Sequence, residues 1–385
     1  LTVGVDLRAL QEGFKAHKAR GIGVYTRALA HRMAGAPISL AGFHDPAYEA
    51  EEPLAHGSIP FRRSATARLL GPCLKEYIRQ HVFLRRALTD HARRHDLSAL
   101  FFPSHLDAPS GLPVPTVVTA HDMIQRALME RHYSTWKHRF HVKKQIDVLR
   151  QAKRIIAVSA HTKSDVVRYT GVPPEKVVVI YNGVDPAFRV IDDPDRSPVN
   201  GRPLPERFVL NVGGIDWRKN IELLFDSFRR LVDRHPDLSL VMTGAIEHDP
   251  RYAEFLGEMA RRGLADRVVP VGFVSTDDLV RLYNLAEVFF YPSVYEGFGL
   301  PVAEAMACGT PVISTNRSSI PEVGGDAAIL LDPDEPERFT QALCDVVSDA
   351  PLREDLAARG IERAKRFSWD IAASETWSCL ASALS

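Results

Sequence analysis

Cysteine is scarce in this 385-residue sequence: Cys73, Cys308, Cys344 and Cys379 stand far apart, with no Cys-x-x-Cys pair and no histidine pattern beside them. That spacing argues against a zinc ribbon or a disulfide framework and fits a reducing compartment. Long apolar runs are also missing. Unbroken stretches such as Val177 to Tyr181 and Ala327 to Leu331 fall far short of the roughly 20 residues that span a bilayer. The opening Leu1-Thr2-Val3-Gly4-Val5 has no basic start, apolar stretch or cleavage site, so it reads as a strand rather than a secretory signal. There is no short-period repeat and no low-complexity tract. The chain also lacks net charge, with 48 Lys+Arg against 48 Asp+Glu. This balance hides an asymmetry. Residues 1–190 hold 28 basic and 16 acidic side chains, an excess of +12 that the remainder offsets. Such asymmetry favours an anionic ligand or surface near the first half.

What is present is a soluble composition, 45% hydrophobic and 25% charged, with enough apolar material for two cores. Val3 to Asp6, Leu40–Phe43, Ala99–Phe102, Thr116–Ala120 and Arg154–Ser159 read as strands, separated in several places by helical stretches. Val24 to Met33 is one of these helices. A polar, Pro-rich segment from Ile191 to Pro203 follows and reads as a linker. Alternation then resumes. Strands are expected at Phe208–Val212, Leu238–Thr243, Val268–Val271, Val288–Tyr291 and Pro311–Ser314. Helices are expected at Ile221–Val232, Thr276–Ala286, Pro301–Cys308, Leu343 to Arg366 and Ile371–Ala383. The pattern implies parallel βαβ units in an α/β fold. The expected division is a first domain over 1–190, a linker over 191–205, a second domain over 206–366 and a last helix over 367–385. Open parallel sheets bind ligands beyond the C-terminal ends of their strands.

Glu296-Gly297-Phe298-Gly299-Leu300-Pro301-Val302-Ala303-Glu304 is the most informative segment. Gly297 and Gly299 allow backbone N–H groups to approach a ligand closely. Pro301 suits the first turn of a helix, whose N-terminus attracts anions and polar oxygens. Glu304, near the first turn, is a hydrogen-bond acceptor for a ribose diol. Gly213-Gly214-Ile215-Asp216-Trp217-Arg218-Lys219 follows another strand. A Gly turn with two adjacent cations can hold a diphosphate, Arg218 in a bidentate way and Lys219 as a point charge. Cations at a helix start oppose the helix dipole, which favours a ligand role over an idle one.

The seven residues between Glu296 and Glu304, with their Gly-Phe-Gly-Leu-Pro interior, resemble the E-x7-E signature of glycosyltransferase family 4. The likeness covers nearly the whole chain and is strongest from Ile155 to Leu331. The resemblance implies the GT-B fold: two Rossmann-like, doubly wound domains facing across a cleft, with a C-terminal helix crossing back to the first. It also implies transfer with retained anomeric configuration. Arg218 and Lys219 would contact the donor diphosphate, Glu296 the sugar, and the backbone of Gly272-Phe273-Val274 the nucleobase. Family members that carry an Arg after the first Gly differ from this chain, which has Gly214 there. Leu300 and Phe298 belong to the donor loop. Gly21-Ile22-Gly23 would be a loop facing the diphosphate, flanked by Lys15, Lys18 and Arg20; alone, it is also an ordinary surface-loop sequence. His121 of His121-Asp122, at a strand end, matches the family histidine that touches the transferred sugar. Ser159 and the turn Asn182-Gly183-Val184-Asp185 read as architectural.

Four catalytic residues are therefore expected: His121, Arg218, Lys219 and Glu296. No metal ligand is expected, because Asp192-Asp193-Pro194-Asp195 and Asp332-Pro333-Asp334 fall in a linker and a loop. No cofactor is implied beyond the nucleotide-sugar donor. The segments Val5-Asp6-Leu7-Arg8 and Gly21 to Thr26 resemble bacterial mannosyltransferases of surface-polysaccharide pathways, which favours GDP-mannose over a UDP-sugar. The expected acceptor is a glycan or a lipid-linked sugar. Residues 62–94 combine nine Lys and Arg with two acidic side chains and interspersed apolar ones. This composition suits an anionic membrane surface as well as it suits a solvated helix. The expected location is cytoplasmic, with peripheral contact at the inner face of the cell membrane. Nucleic-acid binding is not expected, since base-reading motifs are missing. An inactive nucleotide-sugar sensor of the same fold stays open as the alternative.

Overall fold

The computed structural model describes residues 2–12, 21–33, 39–45, 56–58, 79–128, 135–247 and 249–384. They divide into two compact units, Leu1–Gly183 with Trp369–Ser385, and Val184–Ser368.

The first unit holds a seven-stranded sheet. Its strands are β1 (Thr2–Asp6), β2 (Ser39–His44), β3 (His56–Ser58), β4 (Leu97–Phe102), β5 (Thr116–Ala120), β6 (Arg154–Ala157) and β7 (Val177–Val179). The order is β3-β2-β1-β4-β5-β6-β7, and neighbours pair in parallel. Helices cover such sheets on both faces, which explains the continuous apolar strands: Leu100, Phe101 and Phe102 are all fully buried. β7 was expected only as an apolar run, because three residues are too few to show a period.

The second unit holds a six-stranded sheet. It comprises β8 (Arg207–Val212), β9 (Leu238–Thr243), β10 (Val268–Gly272), β11 (Val288–Tyr291), β12 (Val312–Thr315) and β13 (Ile329–Leu331). The order is β10-β9-β8-β11-β12-β13, again parallel. Leu224, Phe228 and Leu231 of helix Ile221–Val232 recur at helical spacing and are fully buried in its core. Burying side chains of this size stabilises by roughly 1.5–3 kcal/mol each.

In both sheets the chain reverses its winding beside the first strand of the unit, between β1 and β4 and between β8 and β11. These are the switch points where crevices open at strand C-termini. The last helix, Trp369–Leu384, belongs to the first unit. Trp369, Ala372, Ala373, Thr376, Leu380 and Ala383 form its buried face. Trp369 meets Tyr25 of helix Gly21–Met33 edge-on at 5.8 Å between ring centroids, and Asp370 accepts from Arg32 Nε at 2.7 Å.

Two expected elements differ in the structure. The single helix from Leu343 to Arg366 is two, Pro336–Ser348 and Ala350–Ala364. Asp349 caps the second by accepting from the Leu352 N–H at 3.0 Å, and Pro351 cannot continue the helix before it. Gly21-Ile22-Gly23 is the first turn of helix Gly21–Met33, where a loop was expected. Lys15, Lys18 and Arg20 lie outside the described residues.

Candidate active site

The site in the second unit begins at the end of β8. Gly213 follows the strand with φ 128°, and its N–H donates to Thr243 O at 2.9 Å. A Cβ on Gly213 would lie 2.8 Å from Lys219 Cε, so only glycine lets that side chain pass. Asp216 then caps a short 3-10 turn, Trp217–Lys219, through the Arg218 N–H at 3.0 Å. The same Oδ1 accepts from Arg218 Nε at 2.8 Å, which orients the guanidinium. Burial would raise the Asp216 pKa, yet hydrogen bonds and charge from Arg218 outweigh it and hold the carboxyl below its ordinary value.

Lys219 is buried, and it reaches the end of β11. Its Nζ lies 2.8 Å from Glu296 Oε1, donates to Tyr291 OH and sits 4.5 Å from that ring's centroid. Tyr291 OH donates to the same Oε1 at 2.8 Å, and Ser293 Oγ does so at 2.5 Å. Three donors therefore converge on one carboxylate oxygen. All three bonds go to Oε1, and among the described residues no protein hydrogen bond reaches Oε2. Burial pushes the Glu296 pKa up, but Lys219 and Arg218 pull it below the ordinary carboxylate value. The residue is thus an anion, and it stays one through its cation partner. Burial drives the Tyr291 phenol far above its usual pKa, with Glu296 adding to the shift, so the phenol remains a donor.

The loop that follows is clamped from behind. Glu296 N–H donates to Ser318 Oγ at 2.9 Å, and Ser319 Oγ donates to the Glu296 and Phe298 carbonyls at 2.9 and 2.8 Å. Phe298 is buried against Phe367, while Gly297 forms the bend. Gly299 caps helix Leu300–Ala307 at φ 100°, a conformation that favours glycine. Pro301 stands in its first turn. Glu304 lies on this helix, and its Oε2 accepts from the fully buried Tyr283 OH at 3.3 Å. Desolvation, with only this long hydrogen bond against it, raises the Glu304 pKa to about 7. The two glutamate pKa values therefore move in opposite directions, Glu296 down beside Lys219 and Arg218, and Glu304 up through desolvation.

Gly214 (φ 74°) turns the chain beside Gly244, and Gly272 (φ 73°) ends β10. Phe273 beyond it is 61% exposed, and Val274 is half-buried.

In the first unit, His121 follows β5. Its Nε2 lies 2.7 Å from the Pro103 carbonyl, which can only accept, so the neutral ring carries its proton there. Tyr25 meets the imidazole edge-on at 4.8 Å. His105, after β4, is buried, and desolvation with nearby His121 lowers its pKa to about 4. Asp6, at the end of β1, binds buried Arg8 in a bidentate pair at 2.8 and 2.6 Å. Asp122 Oδ1 accepts from the Ile124 N–H at 3.0 Å. Ser159 caps helix Ala160–Thr170 through the Thr162 N–H at 2.9 Å, an architectural role as its motif suggested.

The structure thus joins Lys219 and Glu296 in one hydrogen-bonded network, brings the Arg218 charge near Glu296, sets Glu304 on the adjoining helix and places His121 in the other unit. The sequence reading did not find Tyr291, Ser293, Ser318 and Ser319, which hold that network. Tyr291 had one visible signal, an aromatic hydroxyl at the C-terminal end of a strand. Ser318 and Ser319 had none, since they stand 22 and 23 residues from Glu296.

Two family models account for most of the chain. "Glycosyltransferase Family 4" matches residues 19–188, and "Glycosyl transferases group 1" matches residues 192–363. This chain belongs to the family 4 glycosyltransferases. Among its relatives is the serotype-specific mannosyltransferase WbdA of Escherichia coli, 30% identical over 70% of this chain. The aligned part spans about a third of WbdA, 34% of its length. The O-antigen chain mannosyltransferase B of the same species is 28% identical over 92% of this chain and 94% of its own. Sucrose-phosphate synthase from Thermosynechococcus elongatus superimposes with a TM-score of 0.76 at 20% identity, covering 99% of this chain and 98% of that one. Anabaena HepE in complex with UDP and glucose gives a TM-score of 0.71 at 17% identity, covering 99% and 100%. These structural likenesses establish the fold, GT-B with two Rossmann-like domains.

Proposed function

We propose that this glycosyltransferase moves a hexosyl group, mannose by preference, from a nucleotide-diphosphate sugar to a glycan or lipid-linked acceptor. GDP-mannose is the favoured donor and a UDP-sugar the other candidate. The two Escherichia coli relatives named as mannosyltransferases support the sugar, and the Anabaena neighbour bound to UDP and glucose supports the donor class. The observation that carries the reading is the Lys219–Tyr291–Glu296 network at the ends of β8 and β11, with Glu296 Oε2 unengaged by protein. Oε2 would accept from a sugar hydroxyl. The remaining Lys219 N–H and Arg218 would face the diphosphate, and Glu304 would accept from the ribose diol. His121 would touch the transferred sugar. Gly21 and Gly23 would present first-turn amides to phosphate oxygens.

The reaction we favour retains configuration without a covalent enzyme intermediate, in contrast to a double displacement between paired carboxylates. The bond from the anomeric carbon to the β-phosphate oxygen breaks. The acceptor oxygen bonds to the same face, and its proton passes to the departing diphosphate. Catalysis then consists of stabilising the leaving group and holding the two substrates together. Cationic side chains supply that stabilisation, so we expect no metal requirement. Incubation with GDP-mannose and a mannose-terminated lipid-linked acceptor should yield an α-linked product whose formation is unchanged by EDTA. No transfer from any GDP- or UDP-sugar would overturn the enzyme reading in favour of an inactive sensor. Activity lost in EDTA and restored by manganese would overturn metal independence alone.

We further propose a cytoplasmic location with visits to the inner membrane face through residues 62–94. Residues 62–78 lie outside the described part. Helix Arg85–Arg94 buries Leu88 and Ala92 while Arg85, Arg86, Arg93 and Arg94 are exposed, and Val82 and Phe83 before it are partly exposed. Basic side chains beside exposed apolar ones suit an anionic bilayer. Co-sedimentation should be stronger with anionic than with neutral vesicles and should weaken with salt. Equal, salt-insensitive binding to both would rule this out.

A further inference from the structure

The polar, Pro-rich stretch, which lies within the second unit, contains a structured turn. Val199 and Arg202 form an antiparallel bridge, each N–H donating to the other's carbonyl, at 3.0 and 2.9 Å. Asn200 and Gly201 between them have φ of 48° and 73°, the two left-handed positions of a type I′ turn that Asn-Gly favours. Val199 is buried and anchors the turn. Arg281 of helix Thr276–Leu285 ties down the chain before it, donating to the Ser197 carbonyl at 2.7 Å and the Asp195 carbonyl at 3.0 Å.

This turn delivers one side chain to the end of β10. Asn200 Nδ2 donates to Val271 O at 2.7 Å and to Phe273 O at 2.9 Å, the carbonyls on either side of Gly272. Both partners are acceptors, so the amide orientation is unambiguous. The Gly272 carbonyl is occupied too, by the Gly244 N–H at 2.9 Å and Thr243 Oγ1 at 2.8 Å. Three consecutive carbonyls are thus engaged. Among the described residues no intramolecular hydrogen bond engages the N–H of Phe273 or Val274. The loop therefore presents donors, beside an exposed aromatic ring.

We infer that Asn200 is a positioning residue for base selectivity: by engaging the carbonyls of this loop, it leaves N–H donors to meet the oxo oxygen that guanine carries at C6 and uracil at C4, where adenine and cytosine carry an amino group. This inference rests on the nucleotide-donor reading above and deepens it. Guanine O6 and the oxo oxygen of uracil are acceptors, whereas the adenine and cytosine amino groups are donors. An amino group turned toward these N–H groups would leave donors on both sides unpaired, which is how polar sites discriminate strongly. Removing the Asn200 amide would free the Val271 and Phe273 carbonyls to accept from an amino group and let the loop relax.

The test is calorimetric titration of the intact chain with GDP, UDP, ADP, CDP and inorganic pyrophosphate. Asn200→Gly removes the amide while tolerating the left-handed backbone. Asn200→Asp retains a residue suited to the turn but sets an acceptor against two carbonyls. The wild type should bind GDP or UDP at least tenfold tighter than ADP and CDP. Both variants should reduce that ratio to about threefold or less, with pyrophosphate affinity unchanged. The unchanged pyrophosphate arm separates base positioning from general loss of fold. A wild-type ratio in both variants, or a wild-type preference for ADP or CDP, would overturn the inference while leaving a nucleotide site in place. Failure of the wild type to bind any nucleoside diphosphate would overturn it together with the nucleotide-donor reading.

Discussion

Lys219→Ala is expected to lower kcat/KM by roughly 10- to 100-fold, the loss of one charge-assisted hydrogen bond of about 1.5–3 kcal/mol. Most of the loss should fall on kcat, because charge accumulates on the departing diphosphate during reaction. The structure adds a second consequence. Lys219 is the buried partner of Glu296, at 2.8 Å. Without that cation, the burial of Glu296 is offset only by Arg218 and Ser293, and its pKa should rise. Removing one member of a buried pair also destabilises the fold. Thermal unfolding of the variant should therefore show a lower Tm, and the deficit should shrink in Lys219→Met/Glu296→Gln, where no charge is stranded. Steady-state kinetics with unchanged kcat/KM in Lys219→Ala would remove the lysine from the diphosphate site. A loss confined to Tm would assign it a structural role only.

The second large effect should separate the two glutamates. Glu304→Ala is expected to weaken binding of the free nucleoside diphosphate by tenfold or more, and donor binding with it. Glu296→Ala should spare nucleoside diphosphate binding and reduce turnover instead. The reason is the unengaged Oε2 of Glu296, beside the lysine, against the isolated carboxylate of Glu304 near Tyr283. Acidity provides an independent arm. The folded pKa of Glu304 is raised to about 7, so the native apo protein holds a proton that the unfolded chain releases near its ordinary value of 4.5. Its contribution to stability is fully present below that lower value and fades as pH rises through about 7. A nucleotide diol favours the carboxylate, so nucleotide affinity should increase as pH rises across about 7, with proton release. Glu304→Gln should abolish that pH dependence. Calorimetry in buffers of different ionisation enthalpy measures the released proton. Equal losses of nucleotide affinity in the two alanine variants would contradict the division of roles.

Much of this architecture was legible before any coordinates. β5 and helix Ile221–Val232 appear with the boundaries read from their apolar pattern. Both are local: a run of β-branched residues or a 3.6-residue period records its own conformation. The same holds for Gly213, Gly299 and Pro301, whose backbone preferences announce turns and a helix start. The missed break at Asp349 was local as well, and its capping aspartate with Pro351 two residues on was a readable signal.

By itself the sequence determined two alternating α/β halves, the polar stretch between them and the family to which the glutamate spacing belongs. It also named the cation pair and both carboxylates. Only the tertiary structure decided how those groups differ. That Glu296 is an anion held by Lys219, Tyr291 and Ser293, while Glu304 is raised toward neutrality, depends on which side chains the parallel strands bring together across 77 residues of sequence. The same is true of Asn200. Its turn is written in the dipeptide Asn200-Gly201, but its grip on Val271 and Phe273 arises across more than 70 residues. Local preference sets backbone conformation within a few residues, whereas charge state and hydrogen-bond partner depend on burial and on neighbours supplied by packing.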